Sequence, residues 1–174
     1  FNENCYRAMM QVFERDYQTF LQTEEVSEYL KTYFKNTVFG VPLTGVKAYP
    51  SDYEHLASLR KYHVISGGNS KMIPIDEINN TAWGLAQISS LEEPNARFPK
   101  YNEFSNTLRF LPKNIGIVEC DYFRTPVRPI WAYTTVSGRP VYNPAASVDI
   151  ESNEFSFNEI MAVFLSFVGV SIKD

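Results

Sequence analysis

The chain has 174 residues, of which 44% are hydrophobic and 21% charged, and its net charge is −4. This length and composition predict one folded domain that buries a hydrophobic core without disulfide support. The acidic balance disfavours nucleic-acid binding as the main function, and no apolar run in the sequence is long enough to cross a bilayer.

A helix is predicted at the N-terminus of the chain. Apolar residues recur at three- and four-residue steps between residues 3 and 21, as on one face of an amphipathic helix. Asn2 or Asn4 is the expected N-cap, because asparagine accepts hydrogen bonds from the free N–H groups of a first turn. The chain starts at Phe1 and not at a methionine, so we expect its start to be processed or to lie upstream.

A second helix is predicted directly after the first. Thr23 is the expected N-cap, and an apolar stripe at helical spacing runs from Val26 to Phe34. The helix is expected to end before Pro42, which cannot continue it. Because the break between the helices is short, residues 1–40 are predicted to form an antiparallel helix pair.

Short extended runs separated by turn residues predict an antiparallel sheet in residues 56–123. The predicted strands are residues 62–65, 72–75, 97–104, 107–111 and 117–122, with turns at 67–70, 105–106 and 112–114. Pro74 places the second strand at a sheet edge, because proline has no N–H to donate. A short helix capped by Asp76 is expected from there to about residue 85.

The strand of residues 117–122 has two chemically different faces. Val118, Cys120 and Tyr122 fall on one face at period two, and Glu119 and Asp121 fall on the other. The first face is predicted to be core, so we interpret Cys120 as a small buried hydrophobe. No disulfide framework is indicated, and a reducing compartment is the default expectation.

After this strand the chain is predicted to leave the sheet as an extended arm, residues 124–151. Pro126 and Pro129 interrupt any ladder, because proline cannot donate a backbone hydrogen bond. The arm carries residue types that are enriched at protein interfaces. The candidate subunit-interface residues are Arg124, Pro126, Arg128, Pro129, Trp131 and Tyr133.

A final helix is predicted over residues 153–169, with Asn153 as its N-cap and Gly169 after its last turn. Few charges lie along it, so we expect it to be largely buried in the core or against a neighbouring subunit. The order of helix pair, antiparallel sheet with an inserted short helix, arm and terminal helix predicts an α+β fold in a single domain, residues 1–174.

No catalytic, cofactor-binding or metal site is predicted. His55 and His63 are not spaced as a helical ligand pair, and no Cys or acidic cluster with metal-ligand spacing accompanies them. The acidic neighbours of Cys120 raise a thiol pKa and do not activate the thiol. We therefore expect a protein that is not an enzyme and needs no cofactor.

The C-terminal third carries a family resemblance. Its segments are DYFRTPVRPIWAYT (residues 121–134), RPVYNPAASVDIE (139–151) and NEIMAVFLSFVGVSIKD (158–174). Upstream, LQTEE (21–25), YPSDYEHL (49–56) and FPKYNEF (98–104) fit the same pattern. Together they resemble a family of virion structural proteins of crAss-like and related tailed phages, over nearly the whole chain.

The resemblance implies a structural subunit of the phage particle, in the head-to-tail connector or tail. Such proteins form rings, commonly of twelve copies, that join portal and tail proteins and let DNA pass without specific binding. The implied location is the tail or neck of the virion, assembled in the host cytoplasm, with no membrane partner. No catalytic signature belongs to the family.

Two alternatives of other classes stay open. One is a small phage-encoded enzyme acting on DNA or the cell wall, for which His55 with Asp52 and Glu54 is the first group to consider. The other is a module that binds a host protein through residues 125–129 as a polyproline-like ligand, although this segment has few prolines for the usual recognition modes.

Overall fold

The computed structural model of the chain describes residues 1–64, 70–88 and 93–169, and it has an α+β fold, as predicted. The helices are α1 (Asn2–Thr23), α2 (Glu28–Lys31), α3 (Asn80–Ile88) and α4 (Glu154–Phe167), with a 3₁₀ turn at Pro144–Ala146. The strands are β1 (Phe34–Gly40), β2 (Val46–Ala48), β3 (Tyr53–Val64), β4 (Ser70–Pro74), β5 (Asp76–Glu77), β6 (Lys100–Phe104), β7 (Thr107–Leu111), β8 (Ile117–Arg124), β9 (Tyr133–Val136) and β10 (Arg139–Tyr142).

The chain divides into two compact units. Unit 1 combines Phe1–Phe34 with Thr125–Asp174, and unit 2 is Lys35–Arg124. Unit 1 therefore holds the N-terminal helices, the arm and α4, whereas unit 2 holds two four-stranded sheets and α3. The single domain over residues 1–174 stays a prediction beside this division.

In unit 1, α1 packs its apolar stripe against α4. Its buried members, at helical spacing, are Cys5, Ala8, Met9, Val12 and Phe13. From α4, Ile160 and Phe164 are buried, and the Phe164 ring meets the Phe1 ring edge to face at 5.2 Å. The expected cap at Asn2 or Asn4 is wrong: the N-cap is Phe1, and no side chain caps the helix.

The second predicted helix is a single turn, and its predicted length is wrong. Helix α2 spans Glu28–Lys31, and its N-cap is Ser27, not Thr23: Ser27 Oγ accepts the Leu30 N–H at 3.2 Å. From Phe34 the chain continues as β1, because this segment pairs with β8 at the edge of a sheet. Of the predicted stripe, Tyr29, Leu30 and Tyr33 are buried, whereas Phe34 is exposed.

Unit 2 contains two sheets, with strand orders β1-β8-β3-β4 and β2-β7-β6-β5. The pairs β3–β4, β3–β8, β2–β7 and β6–β7 are antiparallel, and β5–β6 is parallel. Buried side chains from both sheets form one core. Its members are Leu59, Ile75, Tyr101, Leu108, Phe110, Ile115, Val118, Cys120 and Tyr122.

Several local predictions for unit 2 are confirmed. Pro74 ends β4, which lies at a sheet edge, and the turn between β6 and β7 has positive φ at both Ser105 and Asn106. The inserted helix begins later than predicted: Asp76 belongs to β5, and α3 begins at Asn80. The residue before it, Asn79, accepts the Ala82 N–H through Oδ1. The structure does not describe residues 67–69 of the predicted turn, and it describes only the backbone of residue 70. The His63 side chain also lies outside the described part of the chain.

The two faces of β8 are as predicted, but the polar face is not simply solvated. Asp121 is only 7% exposed. Its carboxylate accepts hydrogen bonds from Arg60, from Ser58 Oγ at 2.7 Å and from Asn36 Nδ2 at 2.6 Å. These donors come from β1 and β3, so the carboxylate joins three neighbouring strands and is compensated by charge-assisted hydrogen bonds.

On the other face of β8, Cys120 is fully buried, as the period-two pattern predicts. Burial first, and the neighbouring Asp121 charge to a smaller extent, raise the pKa of its thiol to about 12. The thiol is therefore protonated at neutral pH and packs as an apolar side chain.

Candidate assembly surface

The arm leaves the sheet at Arg124, which is the last residue of β8 and lies opposite Tyr53 of β3. Beyond it, residues 125–132 form no regular strand, as the prolines predict. Pro126 and Pro129 are buried, whereas Val127 is exposed. The prolines therefore pack inward, and the residues between them face outward.

Backbone hydrogen bonds hold the arm against the segment that precedes α4. The Val127 N–H donates to Glu151 Oε2 at 2.7 Å. Ile130 and Val148 exchange two backbone hydrogen bonds of 2.9 and 2.8 Å. The arm is thus ordered within the chain, and the entropic cost of ordering it on binding a partner is already met.

Arg128 is engaged inside unit 1. Its guanidinium lies over the Tyr6 ring, 4.9 Å from the ring centroid, and 3.3 Å from Glu3 Oε2. Both partners belong to the first turns of α1, so a cation–π contact and an ion pair attach the arm to this helix. We assign Arg128 a positioning role in the arm.

Trp131 lies at the centre of an exposed aromatic cluster. Its backbone N–H donates to Asn2 Oδ1 at 2.9 Å. The indole ring centroid is 6.2 Å from that of Phe1, 5.7 Å from that of Tyr133 and 6.3 Å from that of Tyr142. Trp131 is 45% exposed and Tyr133 is 58% exposed, so the cluster presents aromatic area to solvent.

The arm continues into a two-stranded hairpin, whereas the sequence predicts only an extended run and a turn at residues 137–140 within the arm. Strands β9 and β10 pair in register, with Tyr133 opposite Tyr142 and Val136 opposite Arg139. Positive φ at Ser137 and Gly138 gives the tight turn whose twist suits a hairpin. The signal was present, as a Ser-Gly pair between two short runs of β-favouring residues.

All eight strand residues of this hairpin are exposed. A two-stranded hairpin is marginally stable in water unless another surface covers one of its faces. We call Trp131 together with residues 133–142 the aromatic hairpin. Its exposed side chains include Val136, Val141 and Tyr142, in addition to the predicted Trp131 and Tyr133.

The electrostatic character of the arm and hairpin differs from that of the whole chain. Residues 125–148 contain Arg128 and Arg139 and no acidic residue, although the chain as a whole has net charge −4. Arg139 is exposed, and it has no ion-pair partner among the residues that the structure describes. Exposed arginine beside exposed aromatic rings is the composition of an interface hot spot.

The residues considered for the enzyme alternative have structural contacts. Asp52 accepts hydrogen bonds from Lys35 Nζ at 2.5 Å and from Tyr122 Oη at 3.0 Å. The hydrogen bond from Lys35 lowers the pKa of the Asp52 carboxyl below its ordinary value. His55 lies in β3 opposite Phe123. The contacts of Asp52 hold the start of β3 to β1 and β8.

Comparison with known proteins gives no assignment: no protein-family model matches the chain, and no curated protein matches it either. Within the described ranges, no helix has the length and apolarity that crossing a membrane requires.

Proposed function

We propose that the chain is a structural subunit of a tailed-phage virion, which forms an oligomeric ring in the head-to-tail connector or tail. The observation that supports this function best is the aromatic hairpin, which exposes both of its faces together with Trp131, Tyr133 and Arg139. An exposed apolar patch of this kind marks a protein interaction site.

The proposed activity is binding, without chemistry. The ordered arm holds the hairpin at the N-terminal end of α1, so the surface is formed before a partner arrives. A head-to-tail contact between identical copies closes into a ring when the rotation between neighbours divides a full turn. The partners in this proposal are further copies of the chain and the portal and tail proteins, and DNA passes through the ring without specific contacts.

The test is the state of the purified chain. We expect sedimentation velocity to show concentration-dependent assembly, and negative-stain micrographs to show closed rings, alone or after addition of portal protein. A chain that stays monomeric at the highest attainable concentration, and does not bind portal or tail rings, would contradict the proposal.

An enzymatic function is separated from this one by direct assays. Purified protein is incubated with duplex DNA and with cell-wall glycan over a series of divalent-metal concentrations, and product formation is followed. We expect no turnover above the buffer control. Turnover that an Asp52→Asn variant abolishes would favour the enzyme alternative.

A further inference from the structure

A groove of about 290 Å³ lies in unit 1, where the loop between α1 and α2 meets the first turn of α4. Asp16, Tyr29 and Phe155 are among the residues that line it. Phe155 is 85% exposed, which makes it one of the most exposed large apolar side chains described. An apolar ring so exposed at the mouth of a groove is typical of a surface that binds another protein.

A capping box closes the start of α4. Asn153 Oδ1 accepts the Ser156 N–H at 2.8 Å, and Ser156 Oγ accepts the Asn153 N–H at 3.1 Å. The capping box engages the backbone N–H groups of Asn153 and Ser156, and the carboxylates of Asp16, Glu28 and Glu159 that line the groove repel an anion. The groove therefore does not have the chemistry of a phosphate site.

Carboxylates line the groove, and more of them follow in the adjoining chain. Glu28 lines it and pairs with Lys31, and Asp16 and Glu159 line it and pair with Arg15. Three further carboxylates come from the same loop and the first turn of α4, and among the described residues they have no ion-pair partner. They belong to Glu24, Glu25 and Glu154. The groove and the adjoining chain thus carry excess negative charge.

The aromatic hairpin lies at the other end of the same helix and carries the opposite charge. Its base is attached at Asn2, and α1 has 22 residues, a length of about 33 Å. The turn at Ser137 is six residues beyond Trp131, about 20 Å at full extension, so it stays short of Glu24 and Glu25 in its own chain. Arg139 therefore finds these carboxylates only in another copy.

We infer that the groove at the start of α4 receives the aromatic hairpin of a second copy of the chain. Arg139 pairs with the carboxylates of Glu24 and Glu25, and Val141 packs against Phe155. The contact joins two different surfaces, so it is heterologous and propagates from copy to copy, as a ring requires. The inference rests on the proposed function and names the surface that accepts the hairpin.

Charge reversal tests the contact. In sedimentation velocity, we expect Arg139→Glu to weaken assembly about tenfold or more, because it removes the attraction and adds repulsion from Glu24 and Glu25. Glu24→Lys combined with Glu25→Lys is expected to weaken assembly similarly, and the triple variant is expected to recover most of it. Arg97→Glu, which reverses an exposed arginine of unit 2, is the matched control and should leave assembly unchanged.

A cross-link gives an independent measurement. Chains carrying Val141→Cys are mixed with chains carrying Phe155→Cys and treated with a short bis-maleimide; the native Cys5 and Cys120 are buried and give little background. We expect a covalent dimer that contains one chain of each kind. Rings that form without this dimer and without charge rescue would overturn the contact and leave the proposed function standing. A chain that remains monomeric would overturn both.

Discussion

At the residue scale, the arm side chains divide by environment. Pro126 and Pro129 are buried, and Arg128 is occupied by Tyr6 and Glu3, so substituting these three changes the monomer as well as any interface. The aromatic rings of the hairpin are about half exposed, so binding of a partner can bury much of their remaining surface. These rings are therefore the informative positions for testing assembly.

Among the glycines that the structure describes, Gly45 is the one whose replacement is most constrained. Its φ is +73°, and a Cβ there would lie 3.0 Å from the Phe110 carbonyl oxygen and 3.1 Å from Lys113 Cα. We expect Gly45→Ala to lower the free energy of unfolding by about 2 kcal/mol, from the left-handed backbone and the contact with fixed main chain. Urea denaturation measures this. Gly40→Ala is the control, because a Cβ at Gly40 has no atom within 4 Å. Equal losses of unfolding free energy in the two variants would contradict the argument.

The contact of Arg15 with Glu159 joins α1 to α4 and makes stability depend on pH. Hydrogen bonding to Arg15 lowers the pKa of Glu159, so the folded state binds fewer protons than the unfolded chain as the carboxyl titrates. Stability from this pair is therefore full above the unfolded pKa and is lost as pH falls through the folded value.

Substitution of Glu159 by glutamine measures this dependence. Above about pH 5, we expect the free energy of unfolding of the wild type to exceed that of Glu159→Gln by about 0.5 kcal/mol. The value is small because both partners are largely solvent-accessible, and the difference should shrink below about pH 4. Thermal unfolding at a series of pH values gives the result. A difference that stays constant from pH 3 to pH 6 would show that the ion pair is not its source.

At the element scale, the hairpin and α4 contrast in how they are supported. Among the described strands, β9 and β10 pair only with each other, and their residues are exposed. Helix α4 packs on α1 through Ile160 and Phe164, yet Phe155 and Phe167 remain exposed. The expectation that this helix is largely buried is met on one side only, and the exposed side is consistent with contact to another subunit.

The cap of α4 is a local source of stability. Asn153 accepts the Ser156 N–H, so Asn153→Ala is expected to cost about 1 kcal/mol of unfolding free energy. Asn158→Ala, at an exposed position in the same helix, should be neutral or slightly stabilising. The two effects are compared through the denaturant midpoints of the variants. A smaller loss of stability in Asn153→Ala than in Asn158→Ala would argue against a stabilising cap.

The exposed rings of the hairpin are predicted to matter for assembly more than for folding. Combining Trp131→Ala with Tyr133→Ala should weaken assembly by about tenfold or more, while the unfolding midpoint changes little. Sedimentation velocity and urea denaturation give the two readouts. Phe98→Ala removes an exposed aromatic ring of unit 2 and serves as control. Unchanged assembly of the double variant would remove the hairpin from the interface.

At the scale of the whole molecule, the charge distribution distinguishes the two proposed contacts, with other copies of the chain and with DNA. The chain has net charge −4, whereas residues 125–148 carry two arginines and no acid. In the proposed ring, a cationic segment on an acidic chain is expected to favour contact between copies, and the negative net charge is expected to weaken DNA binding. Both properties suit a ring through which DNA moves.

This balance predicts weak binding of DNA. Fluorescence anisotropy with a labelled duplex at 150 mM salt should give a dissociation constant weaker than about 10⁻⁴ M, because few phosphates are neutralised. A chain with Arg139→Glu should behave alike. Submicromolar binding that falls steeply with salt would indicate a nucleic-acid function instead.

The sequence by itself determined the elements whose signals are local. Helix α4 begins after Asn153 and is followed by Gly169 at φ +80°, as predicted, because caps act on adjacent residues. Strand β7, the turn at Ser105 and Asn106, and the two faces of β8 also follow from period and turn chemistry. Of the predicted interface, the exposure of Trp131 and Tyr133 was foreseeable from their position beyond two prolines.

Only the tertiary structure determined the features that depend on contacts between segments distant in the sequence. The apolar spacing from Val26 to Phe34 fits a helix, yet the helix stops after Lys31 and Phe34 begins a strand, because the backbone of this strand bonds to β8, some 80 residues away in the chain. The aromatic cluster likewise joins Phe1 to Trp131 and Tyr142. Hydrogen bonds and ring contacts between distant segments leave no period in the sequence, so only the folded chain shows them.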